Sequence, residues 1–340
     1  MSEKEADSTG GFTKRPVSPG AEEILGLYFP VLDHGFVSLV DYMGTDECIE
    51  RAARVSYGYG TRKASMTRGL LRYLRRHLHT TPSEMVEFKF HCCMPMFIAR
   101  QWIRHRTASV NEYSGRYSLM PMLFYTPDQA QLQTQSSANN QGGSGQTVPP
   151  ATYDAAVERW QTGRSQAQAT YEWLTGEQVA RELARIDLPL STYTQWYWKI
   201  DLHNLLHFLK LRVDAHAQWE IQAYGRVMAG MLKKTAPLSY EAWIDYDVQG
   251  ARLSRMELEA LRGLLSATEA GIVPKAGAHA DATKLAALGL SGRELRELVQ
   301  KLEPAPRVDF ELDLSQAKGP GFFSERFAAA VPKVEKAPVE

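Results

Sequence analysis

The chain has 340 residues, 44% of them hydrophobic, which is enough to bury a sizeable core in one large domain or two ordinary ones. Lys plus Arg and Asp plus Glu both number 39, so the net charge is zero and no whole-chain field favours nucleic acid or an anionic membrane. Three cysteines are too few for a disulfide framework, and no apolar segment suits a signal peptide or a membrane span, so we expect a cytoplasmic protein.

The N-terminal half mixes strand and helix patterns. Residues 1–20 combine charge, Gly, Ser and Pro without periodicity, which predicts a disordered tail before a main domain over 21–250. Alternation over 36–41 predicts a strand, and helical patterns follow over 45–54 and 64–78. The run VEFKFHCC alternates apolar and polar residues, so it predicts a half-buried strand that Pro95 ends before a helix.

The second half is mainly helical. Residues 127–150 are rich in Gln, Ser, Gly and Asn and predict a mobile surface loop within the main domain. Helical patterns return over 151–185 and 201–233, and after 250 an Ala-, Leu-, Arg- and Glu-rich composition predicts an accessory, helical C-terminal extension over 251–340. The irregular order of strands and helices favours an α+β domain over a doubly wound sheet.

Polar side chains concentrate in RQWIRHRTASVNEYSGRYS, residues 100–118. On a helix, Gln101 and Arg104 lie three residues apart and share a face above Ile98 and Trp102. Guanidiniums suit bidentate phosphate binding, and Gly115 lets the backbone approach a phosphate closely. Four arginines against a single carboxylate favour an anion site over a structural network of ion pairs. A polynucleotide site is less attractive, because no broad basic stripe accompanies the segment.

The spacing within this segment, RHRTASVNEYSGR over residues 104–116, resembles the RHRxxSxNExSxR signature of flavin-dependent thymidylate synthases at every defined position. The resemblance extends from about Gly35 to Tyr246, through HTTPSEMVEF, RIDLPLSTYTQWYW and FLKLRVDAHAQWEI. It implies a family-type α+β fold with a central, mostly antiparallel sheet and flanking helices. It also implies a homotetramer whose sites combine residues from different subunits.

The resemblance implies methylation of dUMP to dTMP, with 5,10-methylenetetrahydrofolate as one-carbon donor and FAD reduced by NADPH as hydride source. The residues that would hold FAD are Ser56, Thr81, Arg104, His105, Arg106, Asn111, Glu112, His203, His207 and His216. The residues that would bind dUMP are Gln101, Arg104, Glu112, Ser114, Gly115, Arg116, Arg185 and Arg212. The candidate catalytic residues are Arg212, which would orient the uracil, Ser114 and His79.

Two stretches near the C-terminal end of the resemblance affect the predicted flavin contacts. Where many family members carry Asn or Arg for flavin contacts, this chain has Asp201, His203 and His207, and Asp201 would repel a flavin diphosphate unless its carboxylate turned away. The four-residue separation of Arg212 and His216 predicts one helix face for both.

No cysteine looks suited to attack on dUMP, and Ser114 has no adjacent general base. We therefore expect a mechanism without a cysteine nucleophile and assign Ser114 to dUMP binding.

Two rival functions have some support in the sequence. His203 and His207, and again His216 and Glu220, have the spacing of half a zinc site, but Asn204 cannot serve as the general base of a metalloprotease and no third ligand is organised, so we expect no metal. The alternative is a non-catalytic nucleotide- or RNA-binding module that uses the arginines for phosphates alone. That module would leave the flavin residues unexplained.

The aromatic run near residue 197 needs no ligand. We predict that its members, Trp196, Tyr197 and Trp198, belong to the core.

Overall fold

The protein is described here by a computed structural model, which covers residues 14–56, 67–137, 142–268, 271–276, 282–290 and 292–333. Two compact units divide the chain: the first comprises Met1–Trp243 with Phe310–Glu340, and the second comprises Ile244–Asp309. The second unit therefore begins earlier than the predicted boundary at 250. The segment from Phe310 onward packs with the main domain instead of continuing a single extension.

A five-stranded antiparallel sheet forms the centre of the first unit, in the order β1-β2-β3-β7-β4. This agrees with the predicted α+β class and central antiparallel sheet. The strands are β1 Tyr28–Val31, β2 Gly35–Met43, β3 Glu87–Pro95, β4 Ser109–Glu112, β5 Gln133–Gln135, β6 Gly143–Thr147, β7 Tyr193–Asp201, β8 Leu265–Thr268 and β9 Gly271–Pro274. The pairs β5–β6 and β8–β9 form separate two-stranded sheets, the latter in the second unit.

Helices flank the sheet of the first unit, and further helices lie in the second unit. The α-helices are α1 Pro19–Glu22, α2 Asp46–Arg54, α3 Thr67–Arg76, α4 Thr81–Glu84, α5 Met96–Trp102, α6 Pro150–Gly176, α7 Arg181–Ala184, α8 Leu202–Arg212, α9 Trp219–Thr235, α10 Pro237–Trp243, α11 Arg255–Leu264, α12 Ala282–Ala287, α13 Gly292–Leu302 and α14 Pro320–Ala329. Two 3₁₀ turns cover Gln129–Gln131 and Leu314–Gln316, and a π-helical turn covers Ile244–Val248. Among the described residues, the structure has no helix with the length and apolar character needed to cross a bilayer.

Aromatic side chains fill the core face of the sheet. The alternation of β3 buries Phe88 and Phe90 on this face, as the sequence predicts. Trp102 of α5 is fully buried, with ring centroids 5.5 Å from Trp196 and 5.3 Å from Trp198. The core prediction is confirmed for these two tryptophans but wrong for Tyr197, which is 47% exposed because alternate residues of a strand point to opposite faces.

The predicted N-terminal tail is partly structured. Residues 1–13 lie outside the described part of the chain, but Ser18 caps α1 and its hydroxyl donates to the carbonyl of Thr235 at 2.9 Å. Gly20 lies directly against the backbone of Lys234, where an added Cβ would meet the carbonyl oxygen. The ordered chain thus begins before residue 20, since a side-chain cap and close packing against α9 compensate for the polar composition.

The predicted surface loop contains an exposed hairpin, formed by β5 and β6. All residues of both strands are exposed, and their pairing is mostly polar. We therefore expect that replacing residues 129–148 by a short Gly-Ser linker shifts the melting temperature by no more than about 4 °C, because little buried apolar surface is lost. Thermal unfolding of the two proteins measures this. A larger drop would show that the hairpin supports the fold.

Candidate functional site

The signature segment starts just after the helix that follows β3. This helix, α5, ends at Trp102, and Ile103 is its C-cap. Arg104 therefore lies in the turn beyond the helix, and the prediction that it shares a helical face with Gln101 is wrong. The helix ends there because the chain must turn to enter the edge strand β4, which pairs with β7 from Ser109 onward. The Gln101 side-chain amide donates to the Gln218 side chain.

Three of the predicted ligand-binding guanidiniums have no acidic partner among the residues that the structure describes. In the described part of the chain, no ion pair joins Arg104, Arg106 or Arg185 to a carboxylate. Arg116 differs, since its Nε donates to Glu182 at 2.9 Å. Both side chains of that pair are at least half exposed, so the pair contributes little to stability and can exchange for another anion.

Gly115 brings two parts of the chain together. It is buried, and a Cβ built on it would lie 3.0 Å from an Nη atom of Arg185 and 2.6 Å from the Met120 sulfur. Any larger residue would have to push one of these side chains away. The structure thus places Arg185 against the Ser114-Gly115-Arg116 turn, 70 residues away in sequence.

Arg212 and His105 form a direct contact. The Nε of Arg212 donates to Nε2 of His105 at 3.0 Å, so the ring proton of His105 resides on Nδ1. Burial, the Arg212 charge and the neighbouring His207 lower the pKa of His105 to about 4. A neutral His105 thus accepts from Arg212 at neutral pH, and the two terminal amino groups of Arg212 are left for a ligand.

Two of the three signature residues on the edge strand have different environments. Asn111 and Glu112 lie on β4, opposite Tyr197 and Trp196 of β7. Glu112 accepts a hydrogen bond from the Thr194 hydroxyl at 2.7 Å, while Asn111 is exposed at the edge of the sheet. Sequence patterns do not indicate this four-residue strand, because all of its residues are exposed and pairing with β7 alone stabilises it.

Helix α8 carries the stretch that departs from the family pattern. Asp201 caps it, accepting from the backbone and side-chain amides of Asn204 at 2.9 and 2.7 Å. Its carboxylate therefore has a structural partner. His203 Nδ1 is buried and has no hydrogen-bond partner in the described structure. The ring of His207 lies 6.2 Å from that of His105.

The prediction that His216 shares a helix face with Arg212 is wrong. Helix α8 ends at Arg212, and His216 lies in the turn before α9 with its side chain 94% exposed. Asp214 accepts hydrogen bonds from both the backbone N–H and the ring of His216, and this local turn competes with continuation of the helix. The structure does not place His216 beside His105 or Arg212.

The remaining predicted cofactor residues come from a different part of the domain. Ser56 follows α2, His79 precedes α4, and Thr81 is the first residue of α4, which packs against α8. The exposed ring of His79 stacks on Tyr73 with centroids 5.9 Å apart. No sequence pattern marks Tyr73 as a site residue, although it lies six residues before His79 in an arginine-rich helix.

The structure describes no group of three or more His, Cys, Asp or Glu side chains with the geometry of a metal site in the residues it covers. Among the cysteines, Cys92 and Cys93 are buried, and burial raises the pKa of both thiols. Cys48 is half-buried on α2, with its sulfur 3.8 Å from the Thr45 hydroxyl.

Known proteins resemble the chain over most of this unit. Residues 38–238 match the family model described as Thymidylate synthase complementing protein. A protein of Wolbachia pipientis wMel named "Flavin-dependent thymidylate synthase" is 51% identical over 253 residues, covering 74% of this chain and 89% of its own. One of the same name from Ruegeria pomeroyi is 46% identical over 289 residues, covering 84% and 91%.

A solved structure supports the same relationship. The UMP/dUMP methylase PolB from Streptomyces cacaoi, bound with 5-Br dUMP, is 32% identical, with a TM-score of 0.57 over 64% of this chain and 99% of that one. The family model covers more than half of the sequence, and the relatives are matched over most of their length. The chain belongs to the thymidylate synthase complementing protein family and is an enzyme of the flavin-dependent thymidylate synthase class.

Proposed function

We propose that this enzyme methylates dUMP to dTMP, using 5,10-methylenetetrahydrofolate as one-carbon donor and FAD reduced by NADPH as hydride source. The observation that carries the proposal is the Arg185 guanidinium, which lies against the Ser114-Gly115-Arg116 turn without a carboxylate partner in the described part of the chain and so suits a nucleotide phosphate. The related methylase PolB was solved with 5-Br UMP and with 5-Br dUMP, both pyrimidine nucleotides.

The residues of the site fit a flavin dinucleotide. His203 has a buried Nδ1 without a partner, and a buried polar atom of this kind favours a ligand that completes its hydrogen bonding. Arg106 has no carboxylate partner in the described chain, and its charge suits a diphosphate. Ser56, Thr81, Asn111 and His207 would complete the FAD site. When bound, FAD supplies the hydride chemistry that no side chain offers.

The protein's own contribution is positioning and electrostatics. Arg104, Arg116 and Arg185 would hold the dUMP phosphate, with Gln101 and Ser114 as further hydrogen-bonding groups. Arg212, oriented by neutral His105, would face the uracil carbonyls and stabilise negative charge that develops when the ring is attacked at C6. His79, at the exposed stack with Tyr73, would adjoin the flavin. Glu112 accepts a hydrogen bond from Thr194 and would lie beside both ligands.

The proposed mechanism uses no cysteine nucleophile. A thiol attacks as the thiolate, and burial raises the pKa of Cys92 and Cys93. We expect the triple variant Cys48→Ala, Cys92→Ala, Cys93→Ala to keep dTMP formation within about tenfold of wild type, the loss coming from core packing. Initial rates with saturating dUMP measure this. A folded, FAD-binding triple variant with no activity would contradict the mechanism.

The decisive experiment measures dTMP from dUMP with FAD, NADPH and methylenetetrahydrofolate, omitting each component in turn. Dependence of dTMP formation on all four supports the full proposal, and a parallel reaction with UMP determines whether the deoxyribose is required. A colourless protein that binds nucleotides or RNA without turnover would instead support the alternative binding module. Sedimentation of the purified protein tests the proposed homotetramer.

A further inference from the structure

The C-terminal segment crosses the face of the sheet opposite the tryptophan core. This second face carries Tyr28, Ser38, His91 and Tyr197, which lie in one row across β1, β2, β3 and β7. At the β1 edge, Lys318 pairs with Tyr28 through two backbone hydrogen bonds, both 2.9 Å long. The segment therefore begins its crossing as a short addition to the sheet.

Helix α14 continues from that anchor across the second face. Phe323 is 4% exposed, and its ring centroid lies 4.8 Å from that of Phe36 and 5.8 Å from that of Tyr28. One turn further, Arg326 contacts the ring of His34 in the β1–β2 connection. Burial of Phe323 fixes the helix on the sheet and so determines where its last turn lies.

The last turn of α14 reaches the segment that follows the opposite edge strand, β4. The Phe327 ring makes an edge contact with Tyr113, with centroids 5.4 Å apart, and the Ala330 carbonyl accepts from the Met122 N–H at 2.8 Å. These two contacts touch residues 113 and 122, the two ends of a connection that we name the nucleotide loop, residues 113–122. Ser114, Gly115 and Arg116 lie within it.

Other described contacts also hold the nucleotide loop, since Met120 is buried against Tyr171 and Ala184 and Arg181 donates to the Tyr117 carbonyl. The Tyr113 N–H donates to the Gln195 carbonyl at 2.8 Å, and the Met120 N–H donates to the Tyr171 hydroxyl at 2.9 Å. The Tyr113 hydroxyl closes the loop on itself by donating to the Leu119 carbonyl. Phe327 packs on the Tyr113 ring, so it restrains the side chain that makes this closure.

We propose that α14 is a brace that holds the nucleotide loop in its phosphate-binding conformation, with Phe327 as the positioning residue. The proposal rests on the proposed function of the loop. A loop ordered before the ligand arrives loses less conformational entropy on binding, so each contact that orders it raises the affinity for the nucleotide. Phe327 does this through its ring contact with Tyr113, which is not itself a predicted ligand-binding residue.

The test compares Phe327→Ala with Phe322→Ala in the full-length holoenzyme. Phe322 is on the same helix but contacts Phe323 and Lys318, away from the loop. Loss of an edge-to-face contact predicts dUMP affinity about threefold to tenfold weaker for Phe327→Ala, with kcat nearly unchanged. Phe322→Ala should keep wild-type affinity. Phe327→Leu, which keeps apolar volume, should recover most of it.

Amide hydrogen exchange gives a second measurement that needs no ligand. Phe327→Ala should accelerate exchange in residues 114–120, while Phe322→Ala should not. Equal exchange and equal dUMP affinity in the two alanine variants would overturn the brace. If the wild-type enzyme fails to bind dUMP, the proposed function fails, and the exchange comparison still decides whether α14 orders the loop. If Phe327→Ala does not fold, Phe327→Val, which shortens the side chain more than Leu does, takes its place, with faster loop exchange than Phe322→Ala as the expected result.

Discussion

Replacing Arg212 by alanine should lower kcat for dTMP formation by about a hundredfold or more, the typical effect of removing one donor that stabilises transition-state charge. Arg212 is half-buried, burial lowers its pKa, and its Nε is held by His105, so its terminal amino groups are fixed in direction. An interaction that strengthens as the uracil ring gains negative charge affects turnover more than substrate affinity.

Two variants serve as controls for this result. Arg212→Lys keeps the charge but loses the planar group that reaches His105 and a ligand together, so kcat should stay low. Arg226→Ala removes an exposed guanidinium that donates to Gln222 on the same helix, and its kcat should match wild type. Steady-state rates at saturating dUMP give the comparison. If Arg212→Ala changed KM alone, Arg212 would bind the ground state and transition state equally.

Replacing Arg185 by alanine should weaken dUMP binding by about tenfold to a hundredfold, the effect of losing a hydrogen bond to a charged group. Arg185 lies against Gly115 and has no carboxylate partner in the described chain, so its charge is available to a phosphate. Calorimetric titration with dUMP measures the change. Deoxyuridine, which lacks the phosphate, should bind wild type and Arg185→Ala equally weakly.

Arg116 provides a comparison for the loss of dUMP affinity expected at Arg185. It is paired with Glu182 and must leave that carboxylate to bind a phosphate, so Arg116→Ala should cost less affinity than Arg185→Ala. Glu182→Gln should not weaken dUMP binding, because it removes a competitor for Arg116. Equal wild-type affinity in the folded Arg185→Ala and Arg116→Ala variants would contradict the phosphate assignment.

Local sequence patterns were sufficient to predict the strands and helices that bury one face. The alternation of β3 and the Pro95 start of α5 follow from residue type alone, because each apolar side chain there packs on the core. The signature spacing identified the family for the same reason: it is a property of consecutive residues. Exposed β4 and the hairpin of β5 and β6 had no such pattern, since backbone pairing stabilises them.

The sequence by itself thus determined the family, the core strands and the concentration of guanidiniums on one segment, which we propose to bind phosphate. Only the tertiary structure decided which partners these groups have: His105 with Arg212 across 107 residues, Gly115 with Arg185, and Phe327 with Tyr113. It also showed that Arg104 and His216 lie beyond the ends of their helices. The physical reason is that helix ends and long-range contacts depend on packing against distant segments, which short-range periodicity does not encode.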